Sequence, residues 1–578
     1  MSLKSSAPRS TVQSVIDRPQ ASVLIIGGGI NGIATFRDLA LQGVDVTLVE
    51  RNDWASGASA ASSHMIHGGI RYLENGEFRL VQESVQERNG LIKIAPHYVK
   101  PLETTVPIFS TFSGILSAPL RFLTHKQGKP QERGALLIKV GLTAYDSFSR
   151  DGGSVPRHRF HGRKKSLADL PKMNPGLKYT ATYYDASMHD PERLALDVLM
   201  DGLAAGPHAR AVNYVEAVGM GADGVELRDT VTGQTFTVTS DVVVNTSGPW
   251  TDLTNAGLGE PTTYMGGTKG SHIVLDNPEL YAATKGREIF FEHEDGRIVL
   301  IYPLKGKVMV GTTDIDADPS TPSVCTEEEV DYFFDLVKHV FPTIATSREQ
   351  IVYRFSGIRP LPKHDDEAPG FVSRDYRIER RAAAARPSTT VFSLVGGKWT
   401  TFRALAEHLS TDVLNTIGAP RPVETLGLAI GGGAGFPRTD SATRTWVAAH
   451  EDGTGAKRAE QLLGRYGTKA AALLEHLSEH GDDRLQGAAD YSVQELEFLV
   501  EQEQVVHLSD VLHRRTSLAF TGSLTAGLVD EIARVVGGVL GWDDAERTAQ
   551  ITAALDRLRD AHQVDLRVDA AKEAPAFS

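Results

Sequence analysis

Residues 21–50 constrain the fold more than any other part of this chain, because strand, glycine and helix signals follow one another there in a fixed order. The apolar run 23–26 predicts a buried parallel strand. Three glycines then follow with G-x-G-x-x-G spacing: Gly27, Gly29 and Gly32. Apolar residues recur at helical intervals up to Gly43, and a second, alternating strand ends at Glu50. The stretch therefore predicts a βαβ unit opened by a glycine-rich turn.

Each of the three glycines has a physical role in a unit that binds a dinucleotide. Gly27 permits a tight turn, Gly29 lets the backbone approach a diphosphate, and Gly32 lets the helix pack closely on the sheet. The helix N-terminus offers N–H groups and a partial positive charge to that diphosphate. Glu50 lies 18 residues beyond Gly32, near the spacing expected for the acid that binds a ribose. We interpret the unit as a dinucleotide site, with a purely structural glycine turn as the alternative.

The bulk properties are those of a globular protein with more than one domain. The chain has 578 residues, enough for about two or three domains. Its net charge of −13 argues against general nucleic-acid binding. The single cysteine, Cys325, excludes an intrachain disulfide and fits a reducing compartment. No apolar run reaches the roughly 18 residues that span a bilayer. Residues 1–20 lack the apolar region of a secretory signal, so we expect a disordered leader there.

A run of small residues follows the βαβ unit, ending in two serines and the stretch His-Met-Ile-His-Gly-Gly. Small residues let the backbone pass close to a bulky ligand, and their hydroxyls can form hydrogen bonds with it. Alone, the run would be an ordinary Ser/Ala/Gly loop. Directly after a nucleotide-binding unit, it predicts a cofactor-lining loop.

Residues 108–142 mix apolar side chains with local positive charge in an otherwise acidic protein. The stretch contains several cations, among them Arg121, Lys126 and Lys129, and only one acidic residue, Glu132. This composition fits contact with an anionic membrane surface. A packed excursion with a solvated basic rim is the alternative, and the sequence leaves both open.

The remaining patterns complete an α/β fold. The strand 241–245 has the form of a parallel strand returning to the first sheet, and residues 266–314 are strand-rich and predict an inserted antiparallel sheet. A second strand–Gly–Gly–helix junction lies at 391–403. We predict a disordered leader at 1–20 and a Rossmann-like unit at 21–418 with insertions mainly within 97–185 and 260–375. A linker at 419–436 and an all-α C-terminal domain at 437–566 complete the prediction.

Taken together, these motifs resemble those of the FAD-dependent glycerol-3-phosphate dehydrogenases, a family within the glycine-oxidase/glutathione-reductase-like flavoproteins. The matching stretches, in order, are GGGING at 27–32, SS at 62–63, IHGGIRYLE at 66–74, FRLV at 78–81, NTSGPW at 245–250, KGSHIV at 269–274, GTTD at 311–314, SGIRPL at 356–361, SRDY at 373–376, GGK at 396–398, ELEFLV at 495–500 and LHRRT at 512–516. Many spaced motifs in one order are far more specific than any one of them.

The resemblance implies a Rossmann-like FAD-binding domain with an inserted antiparallel-sheet substrate domain and a helical cap. It implies oxidation of sn-glycerol 3-phosphate to dihydroxyacetone phosphate, with hydride transfer from C2 to flavin N5 and electrons passed to a quinone. It further implies a cytoplasmic protein, peripheral on the inner face of the membrane, and allows a homodimer. No metal and no nucleic-acid partner are expected. Cofactor contacts are predicted at Gly27, Gly29, Ile30, Asn31, Gly32, Glu50, Arg51, Ser62, Ser63, His67, Gly68, Gly69, Thr246, Gly248, Trp250, Gly397, Lys398, Trp399 and Thr400.

The substrate implied by the resemblance is a phosphomonoester, which needs clustered cations. Four cations lie on the matched motifs: Arg71, Arg359, Arg374 and Lys398. For any one of these cations alone, a surface salt bridge would be the better interpretation, whereas the four together on one family pattern favour substrate binding. Tyr72, His272 and Thr313 are candidate hydrogen-bond partners of the substrate. The base that takes the C2 hydroxyl proton is His67 or His272, because histidine titrates in the useful range, or Arg359 or Lys398 stabilises a developing alkoxide instead.

Two departures from the family pattern bear on the cofactor. His64 stands where relatives often have Lys, and Trp399 stands where they often have Leu. Three other functions remain open on the sequence: an oxidase of glycerol 3-phosphate that uses O2, an amine or amino-acid oxidase of the same fold, and a non-catalytic flavin-binding scaffold. The second would need one carboxylate-binding Arg and an apolar pocket rather than several cations.

Overall fold

The computed structural model describes residues 9–69, 78–109, 139, 142–143, 156–293, 297–363, 375–451 and 453–566. The helices are α1 Ser10–Asp17, α2 Ile30–Leu41, α3 Phe78–Ile94, α4 Arg163–Asp169, α5 Pro191–Leu203, α6 Thr251–Gly257, α7 Pro278–Thr284, α8 Glu327–Val340, α9 Phe402–Ile417, α10 Asp440–His450, α11 Ala456–Tyr466, α12 Ala470–His480, α13 Val493–Gln502, α14 Leu508–Asp510, α15 Ala526–Leu540 and α16 Asp544–His562. A π-helical turn, Val511–Arg515, follows α14.

The strands are β1 Gln20–Ile26, β2 Val46–Glu50, β3 Met65–Ile66, β4 Val99–Ile108, β5 Arg159–Gly162, β6 Tyr179–Met188, β7 Ala209–Asn213, β8 Val215–Gly221, β9 Gly224–Asp229, β10 Thr235–Asn245, β11 Met265–Leu275, β12 Glu288–Glu292, β13 Ile298–Leu304, β14 Lys307–Gly311, β15 Ile315–Asp316, β16 Ile351–Pro362, β17 Arg377–Ala382, β18 Thr390–Val395, β19 Arg484–Leu485 and β20 Ala488–Ser492.

The first sheet contains the predicted βαβ unit. Its order is β17-β18-β10-β1-β2-β7, and the strands from β18 to β7 run parallel. The expected returning strand is β10, which pairs with β1 so that Asn245 lies opposite Ile26. This register brings the turn after β10 beside the glycine turn after β1. Such a meeting of strand ends at one sheet edge is where open α/β sheets bind ligands.

The second sheet is largely antiparallel, as the strand-rich pattern predicts. Within the described residues its order is β15-β11-β14-β13-β12-β4-β6-β3, with β16 added on β11 and β5 on β6. Its strands come from three stretches of chain, 65–66, 99–188 and 265–362. β16 follows β11 along almost its whole length, pairing Thr268 with Arg359 and His272 with Phe355. The pairing thus carries the SGIRPL motif onto the same sheet as the KGSHIV motif.

The prediction of disorder across residues 1–20 is wrong from Ser10 onward. Residues 10–17 form helix α1, and β1 begins at Gln20. Val12 and Val15 are buried in a cluster with Leu24 and Val243 of the first sheet. Arg9 donates to the Asn213 side chain at 2.9 Å. An apolar pair three residues apart is enough to hold a short helix once a sheet face is available to cover it.

The C-terminal unit is helical, from α10 to α16, with one short hairpin of β19 and β20. The prediction of an all-α domain is therefore right in its main feature and misses the hairpin. The predicted linker 419–436 is irregular, yet it is packed: Ile430 is buried, and a Cβ on Gly432 would lie 2.0 Å from the Tyr466 carbonyl oxygen. Among the described residues, no helix has both the length and the apolar character needed to cross a bilayer.

Candidate active site

One large cavity, of about 940 Å³, lies where the two sheets meet. Its wall is built from the glycine turn, the end of β2, the small-residue loop, the turn after β10, the inner face of the second sheet and the junction after β18. The described residues that line it all lie between Ile26 and Thr400. The C-terminal helical unit contributes none of them.

The glycine turn is as tight as its spacing predicts. Gly27 has φ +110°, a conformation that L side chains rarely adopt, and a Cβ there would lie 2.8 Å from the Thr246 carbonyl carbon. A Cβ on Gly32 would lie 1.9 Å from the Gly27 oxygen and 2.6 Å from Thr246 Oγ1. These distances let α2 start against the end of β1, with its N-cap Gly29 in the cavity wall. The backbone amides and dipole at this helix end suit a diphosphate.

Glu50 lines the cavity and is held in one orientation. Its carboxylate accepts hydrogen bonds from the Gly28 N–H at 2.7 Å and the Asn52 N–H at 2.8 Å. Burial raises the pKa of this carboxyl, while the two backbone bonds and Arg51 act in the opposite direction. Since both bonds come from backbone amides, the oxygens of Glu50 have a fixed position for a hydroxyl-bearing ligand.

The small-residue loop forms a second side of the cavity. Ser59 accepts the Ile30 N–H at 3.0 Å through its hydroxyl, and its carbonyl accepts the Trp399 indole N–H at 3.0 Å. Arg51 lies over the Trp250 ring, 4.8 Å from its centroid. The loop thereby connects the glycine turn to the junction after β18, and residues from all three line the cavity.

The predicted cofactor residues fit a dinucleotide with a large aromatic group. All of them except Gly32 and Gly68 line the cavity, and these two glycines are next in the chain to residues that line it. Gly32 provides space beneath the turn, and the Gly68 N–H donates to Asp185 in the wall at 2.9 Å. The buried Asn31 Oδ1 has no hydrogen-bond partner, and this atom in the wall marks a place for a ligand donor. The donor set therefore fits FAD.

His272 lies on β11 of the second sheet and lines the cavity. Its Nε2 is 2.9 Å from Ser63 Oγ, its ring is stacked on Phe355 with centroids 4.7 Å apart, and its buried Nδ1 has no hydrogen-bond partner. A Cβ on Gly311 would lie 2.2 Å from the His272 ring, so this glycine provides the space that the ring occupies. Burial, with Arg359 and His64 nearby, holds the pKa of His272 well below its usual range.

Arg359 projects into the same region from β16. Its guanidinium donates to Asp314 Oδ1 at 2.8 Å and to Thr312 Oγ1 at 2.8 Å. A Cβ on Gly270 would lie 2.2 Å from Arg359 Nη2, so the glycine of the KGSHIV motif makes room for the guanidinium. The paired carboxylate keeps this cation oriented at the cavity wall.

Thr313 lines the wall, but its hydroxyl is already engaged. It donates to Glu329 at 2.6 Å and accepts the Ser271 N–H at 3.0 Å. Lys269 reaches the same carboxylate of Glu329 at 2.8 Å. These bonds fix the Thr313 side chain in the cavity wall, and its predicted contact with the substrate stays a prediction.

Lys398 and His67 line the cavity near the junction after β18. Lys398 Nζ donates to Ser84 Oγ of α3 at 3.2 Å. The His67 carbonyl accepts the Thr400 hydroxyl at 3.3 Å, which ties the two predicted cofactor loops together. The other predicted substrate residues, Arg71, Tyr72 and Arg374, lie outside the described part of the chain, as does the predicted membrane segment around 111–133.

The two departures from the family pattern have different positions. Trp399 is in the cavity wall, whereas His64 is not among the lining residues. The His64 ring packs on Phe520 of the C-terminal unit with centroids 5.1 Å apart, and burial lowers its pKa to about 4. Any effect of His64 on the cavity would therefore be indirect.

Sequence reasoning missed several charged groups in the wall, among them Asp185 and Arg297. Asp185 lies on β6, accepts the Gly68 N–H, and is paired with the buried Arg88 at 3.2 Å. Neither residue carries a local motif; only the pairing of β6 with β3 reveals Asp185. Within the described ranges, no group of three or more His, Cys, Asp or Glu side chains converges as metal ligands would.

Comparison with known proteins identifies the family to which this chain belongs. Residues 22–409 match the model of the FAD dependent oxidoreductases, and residues 388–547 match that of the C-terminal domain of alpha-glycerophosphate oxidase. The chain belongs to the FAD-dependent glycerol-3-phosphate dehydrogenase family. It is 32% identical to a glycerol-3-phosphate dehydrogenase of Synechocystis sp., over 92% of this chain and 94% of that one.

Other relatives agree with this assignment. The aerobic glycerol-3-phosphate dehydrogenase of Escherichia coli is 32% identical, over 86% of this chain and 93% of that one. The solved glycerol-3-phosphate dehydrogenase of Bacillus halodurans, complexed with FAD, superposes with a TM-score of 0.72 at 25% identity and covers 95% of this chain and 97% of that one. A D-erythritol 1-phosphate dehydrogenase of Brucella abortus is 31% identical, over 86% of this chain and 93% of that one. This chain is thus an FAD-dependent oxidoreductase with the predicted α/β fold and helical C-terminal domain.

Proposed function

We propose that this protein oxidises sn-glycerol 3-phosphate to dihydroxyacetone phosphate. The observation that carries the proposal is the placement of Arg359, Lys398 and His272 in the wall of the same cavity as the glycine turn. Cations in the wall suit a phosphomonoester, and the glycine turn in the same wall suits the diphosphate of FAD. FAD, when bound, accepts the hydride from C2 of the alcohol.

Arg359 is the residue best suited to bind the substrate anion or the C2 oxygen. Its two terminal nitrogens already donate to Asp314, to Thr312 and to the Thr313 carbonyl, and these bonds fix a delocalised positive charge at the cavity wall. That charge would act on the substrate electrostatically. Lys398, which also lines the cavity, would add a second positive charge. Arg71 and Arg374 complete the predicted cation set, and their contribution rests on the family resemblance.

We propose His67 as the acceptor of the C2 hydroxyl proton, in preference to His272. A base acts best when its pKa lies near the working pH, and the pKa of His272 is held far below that range. The neutral ring of His272 is better suited to a hydrogen bond that orients the substrate hydroxyl. Ser63, 2.9 Å from Nε2, holds the ring in place.

In the same cavity, we propose that the turn 27–32 binds the FAD diphosphate and Glu50 the adenine ribose. The small-residue loop, the turn at 246–250 and residues 397–400 would enclose the remainder of the cofactor. The uncapped glycine at the start of α2 and the fixed Glu50 carboxylate support this orientation.

The proposed electron acceptor is a quinone, because the relatives are named dehydrogenases and several of them aerobic ones. Peripheral association with the inner face of a membrane goes with that acceptor, and a homodimer stays a prediction. Oxygen consumption measured beside quinone reduction separates a dehydrogenase from an oxidase. Faster turnover with oxygen than with quinone would contradict the proposed acceptor.

A second candidate substrate is D-erythritol 1-phosphate, because a relative named for that activity is 31% identical. The direct comparison is kcat/KM for sn-glycerol 3-phosphate, D-erythritol 1-phosphate, glycerol and an amino acid, with a soluble quinone as acceptor. We expect the highest value for sn-glycerol 3-phosphate and negligible turnover of the two compounds without phosphate. A higher value for D-erythritol 1-phosphate, or for the amino acid, would contradict the proposal.

A further inference from the structure

None of the described residues of the C-terminal helical unit lines the cavity, yet the unit reaches the segment that follows Glu50. Asp53 lies three residues after Glu50 and is completely buried. Its carboxylate accepts hydrogen bonds from Arg514 and from Arg515, the latter through both terminal nitrogens. Both arginines belong to the π-helical turn of the C-terminal unit.

The charges in this cluster are paired across the two parts of the chain. Arg514 also donates to Asp510 at 2.8 Å, and Arg515 Nε lies 3.8 Å from Glu503, which pairs with Arg193 of α5, so three arginines face three carboxylates. Arg514 and Arg515 lower the pKa of Asp53. Breaking such a buried group leaves an uncompensated charge, which is far more unfavourable than the intact group is favourable. Asp53 therefore needs the arginines to keep its present position.

A second contact joins the same two parts beside the charge cluster. The Trp54 indole N–H donates to Gln504 Oε1 at 3.2 Å, and Gln504 Nε2 donates to the Ala211 carbonyl of β7 at 3.1 Å. The Trp54 ring is buried against the glycine turn, where a Cβ on Gly28 would lie 2.5 Å from it. Gly28 is also the donor that fixes Glu50.

The contacts thus connect the C-terminal unit to Glu50. Arg515 holds Asp53 and Gln504 holds the next residue, Trp54. The Trp54 ring packs against Gly28, whose N–H binds the Glu50 carboxylate. We propose that the C-terminal unit acts as a clamp on the adenine-ribose end of the FAD site, with Arg515 and Gln504 as positioning residues for Glu50. The proposal rests on the placement of FAD given above. It assigns to the helical unit a role in retaining the cofactor rather than in contacting the substrate.

The test is the rate at which FAD leaves the holoenzyme, followed by the rise in flavin fluorescence after dilution. Arg515→Met should accelerate release by about tenfold or more, since it removes one of the two arginines that pair with Asp53 and leaves Arg514 and Asn213 as its partners. The matched control is Arg458→Met. Arg458 is equally buried in the C-terminal unit and is paired with Glu495 at 2.7 Å, but it does not touch the segment after Glu50. Release from this control should stay at the wild-type rate.

Two outcomes would overturn the proposal at this stage: wild-type release from Arg515→Met, or equal acceleration by both variants. The latter would mean that the helical unit only stabilises the protein in general. If Arg515→Met does not fold, Gln504→Met takes its place, because it removes the bonds to Trp54 and Ala211 while keeping the side-chain volume. Faster release supports the clamp, and unchanged release contradicts it.

A double-mutant cycle tests the route through Glu50. In a Glu50→Gln background, Arg515→Met should accelerate release much less than in the wild type, because the carboxylate that it positions is absent. Full additivity would overturn the clamp. Glu50→Gln alone distinguishes the proposed ribose contact of Glu50 from the proposed clamp. If this variant releases FAD at the wild-type rate, the ribose contact is contradicted, independently of the result for Arg515→Met.

Discussion

At the scale of single residues, the site is made by side chains that the sheet brings together and small residues that leave them room. Arg359 and His272 were predictable, because each lies in a motif. The space that these side chains occupy was not predictable. Gly270 and Gly311 provide it, and they face Arg359 and His272 only because the strands are paired. Asp185 was missed because its partner Arg88 is 97 residues away in the chain. Contacts of that kind carry no local signal.

The role of Arg359 can be tested by a change that keeps its charge. Arg359→Lys replaces a planar fork with a point charge, so kcat/KM for sn-glycerol 3-phosphate should fall by about tenfold or more. Arg354→Lys is the matched control, because Arg354 lies on the same strand but pairs with Glu327 of α8 at 2.6 Å. Unchanged kinetics for Arg359→Lys would remove this residue from the site.

Glu288 gives a prediction about pH. It is fully buried on β12 and accepts a hydrogen bond from Thr104 at 2.9 Å, and burial raises its pKa to about 8. The folded state therefore keeps a proton that the unfolded chain loses near pH 4.5. Its contribution to stability is present below that pH and is lost as the pH rises toward 8, by at most about 1.4 kcal/mol per pH unit.

The measurement is the midpoint of thermal unfolding of Glu288→Gln and of the wild type between pH 5 and pH 8. Glutamine resembles the protonated acid and does not titrate, so the variant should gain stability relative to the wild type as the pH rises. Glu279→Gln, at an exposed carboxylate of α7, should follow the wild type throughout. Parallel curves for Glu288→Gln and the wild type would contradict the assignment.

At the scale of elements, the βαβ unit was predictable in type and in order. The apolar run, the glycine spacing and Glu50 all act within thirty residues, and β1 and β2 end where they were predicted to end. β1 begins three residues before the predicted strand, at Gln20, and β2 begins two residues later than predicted, at Val46. Helix α1 was missed because its signal is one apolar pair, Val12 and Val15, which gains meaning only against the sheet that buries it. The hairpin of β19 and β20 was missed for the same kind of reason, being only a few residues long.

The crossing of α2 on β1 gives a prediction at this scale. In Gly32→Ala the new methyl group would lie 1.9 Å from the Gly27 oxygen, so α2 must move away and the turn must open. We expect FAD content after purification to fall to a small fraction of the wild-type value. Gly90→Ala in α3 is the control, because nothing lies within 4 Å of the added methyl and alanine favours helix. A fully loaded Gly32→Ala protein would contradict the tight crossing.

At the scale of the whole molecule, three linked parts account for the fold: a parallel sheet, an antiparallel sheet that shares its cavity, and a helical unit fastened to both. The order of these parts was predictable because periodicity changes along the chain. Their mutual contacts were not, since Asp53 and Arg515 are 462 residues apart. We retain the predicted domain division as a proposal, with its first unit beginning at Ser10.

Buried histidines make the whole molecule sensitive to acid. Burial lowers the pKa of His64, His189 and His562 to about 4 each. The unfolded chain takes up these protons near pH 6.5 and the folded chain does not, so stability is present above pH 6.5 and is lost as the pH falls toward 4. The loss at pH 5 is on the order of 1–2 kcal/mol for each histidine.

Thermal unfolding at pH 7, 6 and 5 checks this expectation. Glu192 and Glu288, whose pKa values burial raises to about 8, act in the opposite sense across this range and reduce the net change. The comparison with a single variant isolates one histidine from these opposing carboxyls. The midpoint of His562→Gln should fall less steeply, or rise more steeply, than that of the wild type as the pH is lowered. Parallel curves for His562→Gln and the wild type would contradict this assignment.

We propose that the cavity binds FAD at the glycine turn and sn-glycerol 3-phosphate beside Arg359, close enough for hydride transfer. An anaerobic titration of the purified holoenzyme with sn-glycerol 3-phosphate, followed by the visible absorbance of oxidised flavin, tests this arrangement. We expect bleaching of the bound flavin, complete near one equivalent of substrate for each FAD, and none with glycerol. Absence of bleaching by sn-glycerol 3-phosphate, with bleaching by an amino acid, would contradict it.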